Sequence, residues 1–155
     1  MTFSSDFSEL LSAFNEAGVR YLIVGALAVS YHGQPRASMD FGVWVEPSLE
    51  NAAKVRRALA SFGAPAELLP TIEELGSDDL IYQIGVVPLR IDVITGISGV
   101  AFHEAWEKRV TDTLAGVRVS IIGFDDLVTN KLASGRDKDL LDVRRLRRAA
   151  RDGDA

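Results

Sequence analysis

Residues 21–46 read YLIVGALAVSYHGQPRASMDFGVWVE, and this stretch decides the fold. The apolar run Tyr21 to Val24, β-branched and aromatic in character, predicts a short buried strand. Gly25 ends it and opens a helix-like stretch, Ala26–His32. The loop Gly33–Met39 follows, and a second strand runs from Asp40 to Val45. A strand–glycine–helix junction presents free backbone N–H groups and the positive end of a helix dipole, so it can hold a phosphate. A single glycine there also serves tight packing, and the junction alone leaves both readings open. Arg36 and Ser38, in the loop before Asp40, can each donate to phosphate oxygens.

The second strand carries the other half of the pattern. Residues i and i+2 of a strand share a face, roughly 6.6 Å apart. Asp-x-Asp on a strand therefore aims two carboxylates at one point, and a third from a neighbouring strand completes a cage for one or two Mg²⁺ ions. Asp40 is the first such carboxylate, and Asp92 in LRIDVIT is a good third. Position 42, where the second belongs, is glycine. Glu46 shares the face of Asp40 but lies about four residues, or roughly 13 Å, beyond position 42, too far to substitute. The plain alternatives are that Asp40 is a turn or capping residue and that Gly42 lets another backbone or a ligand come close. Asp92 is harder to explain away, because an unpaired carboxylate inside an apolar run is costly to bury.

With 155 residues, 47% hydrophobic and 25% charged, the chain is expected to form one soluble globular domain over residues 1–155, with a core at about 20–125 and C-terminal helices at about 125–150. A net charge of −5 argues against a surface that is basic all over, though not against a local basic groove. There is no cysteine, which removes disulfides, thiolate metal sites and a cysteine nucleophile. No secretory leader or membrane-length apolar run is visible, so a cytoplasmic, membrane-free location is expected.

Along the chain, Asp6 and Glu9 resemble a capping box for a first helix ending near Ala17. Ser48 caps a helix through Phe62, with Gly63 ending it. Residues 64–79 read as loop with a helical turn at Thr71–Leu75. Leu80–Ile84 and Leu89–Ile94 predict a hairpin around Gly85 and Pro88. Ser98–Lys108 predicts a helix, Arg118–Ile122 a strand, and Asp125–Ala133 and Lys138–Ala150 two more helices separated by Gly135. The expected fold class is α+β (α/β), a mixed β-sheet with helices packed on it and a C-terminal helical pair.

Taken together, Gly25-Ala26, His32-Gly33, Pro35-Arg36-Ala37-Ser38 and Asp40 resemble the nucleotidyltransferase superfamily, the polymerase-beta-like fold. The run Asn130-Lys131-Leu132-Ala133-Ser134-Gly135-Arg136, with Lys138-Asp139 and Asp142, is similar to the C-terminal helical signature of its small stand-alone bacterial members, some of which are toxins in toxin–antitoxin pairs. The resemblance covers roughly residues 20–145. It implies transfer of a nucleoside monophosphate from an NTP to a hydroxyl of RNA, protein or a small molecule, assisted by Mg²⁺ or Mn²⁺. The partners it implies are the NTP, and tRNA or a cognate antitoxin or other partner protein. By the same resemblance, Gly25 and Ala26 form the phosphate turn, and Asp40 and Asp92 are catalytic carboxylates and metal ligands. Arg36, Ser38 and Lys131 face the nucleotide phosphates. Ala26 and Gly42 depart from the family pattern, and Gly42 removes an acidic ligand. The resemblance therefore implies either an impaired enzyme or a catalytically inactive member acting through a partner.

Arg144, Arg145, Arg147, Arg148 and Arg151 load the last predicted helix with positive charge. This is either a solvated face paired with Asp139 and Asp142 or the edge of a groove for RNA or an acidic partner. His32 and His103 have no metal-pair spacing and read as structural or surface residues.

Overall fold

The computed structural model describes residues 4–33, 40–85 and 90–153, with the side chain of Asp40 outside that description. Helix α1 (Ser5–Ala17) leads into β1 (Tyr21–Val24), α2 (Gly25–His32) and β2 (Asp40–Val45). Next come α3 (Leu49–Phe62), a 3₁₀ turn (Ala66–Leu68), α4 (Ile72–Gly76), β3 (Ile81–Ile84) and β4 (Arg90–Ile94). The chain finishes with α5 (Phe102–Glu107), β5 (Val110–Leu114), β6 (Val117–Ile121), α6 (Phe124–Ser134) and α7 (Asp137–Gly153). The six strands form one mixed sheet in the order β3-β4-β2-β1-β6-β5. Strand β2 runs antiparallel to β1 and parallel to β4, and β1 runs parallel to β6. The fold is α+β, as the strand and helix patterns predict.

Strand alternation assigns the two faces of the sheet. Phe41 stacks on Phe7 of α1 at 4.8 Å between ring centroids, and Tyr21 meets Phe14 of the same helix at 5.7 Å. Phe41, Val43 and Val45, with Ile91 and Val93 beside them, are buried on this side, which α1 covers. Trp44 points to the other side, where Phe102 of α5 packs edge-on against it. Burial in β4 alternates accordingly: Ile91 and Val93 are buried, whereas Arg90, Asp92 and Ile94 are only partly covered. The second face is thus the one left partly open around Asp92.

Local chemistry explains most boundaries. Ser48 accepts the Asn51 amide at the start of α3, and Gly63 closes that helix at φ +111°. Thr71 and Glu74 form a reciprocal capping box on α4. The expected β3–β4 hairpin is present as an antiparallel pair; the turn around Pro88 lies outside the described residues.

Three expectations need correction. The cap of α1 is Ser4, whose hydroxyl accepts the Phe7 amide at 3.2 Å, so the helix starts before the Asp6–Glu9 pair. The helix expected over 98–108 is limited to Phe102–Glu107, because Gly99, at φ +78°, turns the chain and Ile97 bridges to Val100. Strand β5 was not expected. Its sequence, VTDTL, is mostly exposed at the sheet edge and has no inward apolar row to read. It pairs with β6 across the two-residue turn Ala115-Gly116, both at positive φ, the geometry of a tight hairpin.

Candidate nucleotide site

Gly25 sits at φ +69° directly after β1, a left-handed conformation that suits glycine and costs other residues strain. A Cβ at this position would meet nothing within 4 Å among the described residues. Helix α2 begins here with no side-chain cap, which leaves its first amides available. Gly25 and Ala26 are partly exposed, while Leu27 to Ser30 are buried. The junction has the form that a phosphate turn needs.

The strand register lines up the remaining groups. Val24 pairs with Gly42, Gly42 with Asp92, and Asp92 with Gln83, so one row crosses β1, β2, β4 and β3 at the level where β1 ends and Gly25 begins. Neighbouring strands lie about 4.8 Å apart. A side chain at position 42 would therefore stand beside Asp92 and next to the turn. Asp40 pairs with Arg90, two residues toward the start of β2, so Asp40 and Asp92 belong to adjacent strands.

Arg90 is the residue that sequence reasoning missed. Its Nε lies 3.2 Å from Asp92 Oδ1, an ion pair between residues i and i+2 on the same face. The signal was present in LRID, where alternation puts both side chains on one side. Asp92 is thus neutralised by an internal cation beside the position where glycine replaces a carboxylate. Among the described residues, no three His, Cys, Asp or Glu side chains gather as a metal site. Of the carboxylates expected to hold Mg²⁺, Asp92 is paired with Arg90, position 42 supplies none, and the side chain of Asp40 lies outside the described residues.

The other expected contacts divide in two. Arg36 and Ser38 lie outside the described residues. Lys131 is not at the phosphate turn's surface but inside the α6–α7 corner, where its Nζ lies 3.3 Å from both Asp139 and Asp142. Asp139 is fully buried and also accepts from the Arg136 backbone N–H and from its Nε, the latter at 2.7 Å. Burial pushes the Asp139 carboxyl up, but the hydrogen bonds from Arg136 and Lys131 outweigh it and hold the group below its ordinary range. Two carboxylates hold the Lys131 ammonium in this buried corner, away from the Gly25 turn's surface. The signature from Asn130 to Asp142 pins α6 to α7. Asp139 and Asp142 consequently face inward to Lys131, while Arg144, Arg145, Arg147, Arg148 and Arg151 are exposed.

His32 closes the end of α2 as a structural group. Its Nε2 donates to the Ile122 carbonyl at 2.7 Å, and its ring meets Phe124 edge-on. Burial lowers its pKa, with the Ile122 bond opposing.

No protein-family model and no curated protein sequence matches the chain. A solved structure does. The crystal structure titled as that of a "putative nucleotidyltransferase" from Thermotoga maritima superposes with a TM-score of 0.61 at 11% identity, covering 89% of this chain and 88% of that one. The chain has that fold. Among the described residues, no helix is long and apolar enough to cross a membrane.

Proposed function

We propose that this chain is a nucleotidyltransferase-fold protein that receives an NTP at the Gly25 turn and whose transfer of a nucleoside monophosphate to a hydroxyl is impaired by Gly42. The observation that carries this reading is the register: Gly42 lies directly across from Asp92 and beside the end of β1. The Gly25 turn and the Asp92 carboxylate support this reading, in which the missing part is one side chain at position 42. A Cβ at position 42 would lie 3.4 Å from Val24 Cγ2 and 3.6 Å from the Val24 carbonyl oxygen, ordinary van der Waals contacts. Mg²⁺ or Mn²⁺, when bound, supplies charge neutralisation for phosphoryl transfer. In the chain as it stands, Arg90 answers the charge of Asp92. The acceptor class we propose is a hydroxyl of RNA, such as tRNA, of protein or of a small molecule, and the biological setting a toxin–antitoxin pair.

The Arg90–Asp92 pair favours a second reading, a catalytically inactive member that acts through a partner, because a carboxylate committed to a guanidinium is a poor cation ligand. One experiment separates the two. Incorporation of labelled NTPs into total tRNA and into protein is compared between this chain and Gly42→Asp. Transfer by the chain itself is expected to be very weak or absent. Gly42→Asp is expected to raise it by about 10²–10³-fold, the usual worth of one contact to developing charge. Robust turnover by the unaltered chain would refute the impairment, and silence in both would favour the partner-binding reading.

A further inference from the structure

The opposite end of β1 carries a second concave site that the nucleotide site does not use. Tyr21 begins the strand and Val24 ends it at the phosphate turn, so the two sites are separated by about 10 Å of strand at roughly 3.3 Å per residue. A cleft of about 540 Å³ opens there, within the range of about 300–1,000 Å³ of small-molecule pockets. Three arginines from three parts of the chain line it: Arg20 before β1, Arg109 before β5 and Arg118 in β6. Among the described residues no carboxylate lines it, in a chain whose net charge is −5.

Two of the three guanidinium groups are held in place. The Arg109 guanidinium lies over the Trp106 ring at 3.8 Å from its centroid, and its Nη1 donates to the Trp106 carbonyl at 2.8 Å. The Arg109 Nε is buried and has no acceptor among the described residues. Arg20 lies over the same ring at 5.4 Å. Its backbone is clamped by Asn51, which accepts from its N–H at 2.9 Å and donates to its carbonyl at 3.1 Å. Glu46 pairs with Arg20 from outside the cleft at 3.4 Å. Arg109 and Arg118 make no ion pair with any described residue. The hydroxyls of Thr111 and Ser120 complete the donor-rich lining.

We propose that this cleft is a binding site for a phosphate-bearing small molecule of nucleotide size, with the phosphate seated on Arg109 and Arg118. Guanidinium forks match phosphate oxygens in geometry, and arginines already held over an aromatic ring lose little freedom on binding. The size of the cleft leaves room for more than a bare phosphate. The site is independent of the Gly25 turn and of whether the protein catalyses transfer.

The test is an ¹H–¹⁵N correlation titration of the whole chain with AMP and with inorganic phosphate, at fixed chloride and without divalent cations. Saturable shifts of the Trp106 indole and of the Thr111 and Ser120 amides are expected with AMP. Arg118→Gln, on an exposed strand position, should weaken them at least tenfold with the rest of the spectrum intact. Arg109→Lys keeps the charge but loses the flat stacking and should weaken them by a similar factor. Asp92→Asn, at the other end of the strand, should leave them unchanged. Tighter binding of AMP than of inorganic phosphate supports a ligand of nucleotide size, and equal binding of the two would overturn it. Unsaturable shifts, or shifts unaffected by both arginine substitutions, would overturn it.

Discussion

Asp92 with Arg90 on the sheet, and Asp139 with Lys131 and Arg136 at the α6–α7 corner, are the same chemical pairing at two depths. The Asp92 and Arg90 side chains keep 24% and 32% of their exposure, whereas Asp139 keeps none and Lys131 10%. Near water, an ion pair gains little and its members can exchange partners. In the dry corner, each charge depends on the others, because an unpaired ion there pays a desolvation cost of several kcal/mol. The difference separates a place where charge can be used from a place where charge fixes the fold. Burial and its two carboxylate partners give Lys131 the second, structural role.

Removing the central cation of the corner should show the largest effect. Lys131→Met leaves Asp139 and Asp142 buried without it, and the expected loss is about 3–5 kcal/mol in urea unfolding. A loss under about 1 kcal/mol would erase the contrast between the two regions. Gly25→Ala probes the site end by a different physical route. The left-handed backbone at this position should cost an alanine about 1–2 kcal/mol in the same assay, with no steric contribution from the described residues, since the methyl meets none of them within 4 Å. Asp92→Asn should be the mildest, at about 1 kcal/mol, because both side chains stay partly exposed although the paired atoms themselves are covered. A cost near that of Lys131→Met would mean that the Arg90–Asp92 pair is a buried structural element and not part of an open site.

Much of this architecture was legible in the chain itself. β1 and β2 begin and end where their composition and the residues Gly25, Asp40 and Pro47 predict, and α3 is bounded by its cap Ser48 and its stop Gly63. Such signals are local: a hydroxyl that accepts an amide three residues on, a glycine that admits positive φ, an alternation that needs no partner to be seen. Strand β5 escaped because an edge strand with exposed threonines and aspartate has no buried row to give it period 2. Its turn, Ala115-Gly116, was the one local clue.

The candidate site was legible in its parts and not in its arrangement. Gly25, Gly42 and Asp92 could be named from the sequence, since glycine after a strand and a carboxylate within an apolar run are each unusual alone. Their alignment in one row depends on pairing between strands some 50 residues apart, and register is set by how the whole sheet buries its apolar face. The same holds for charge. Sequence spacing offers Asp139 and Asp142 several cations on their own helix, and only packing α7 against α6 directs them to Lys131. Composition and local geometry thus determined which elements this protein makes and which residues are chemically equipped. Tertiary structure decided which of those residues meet, because burial and register are properties of the folded whole.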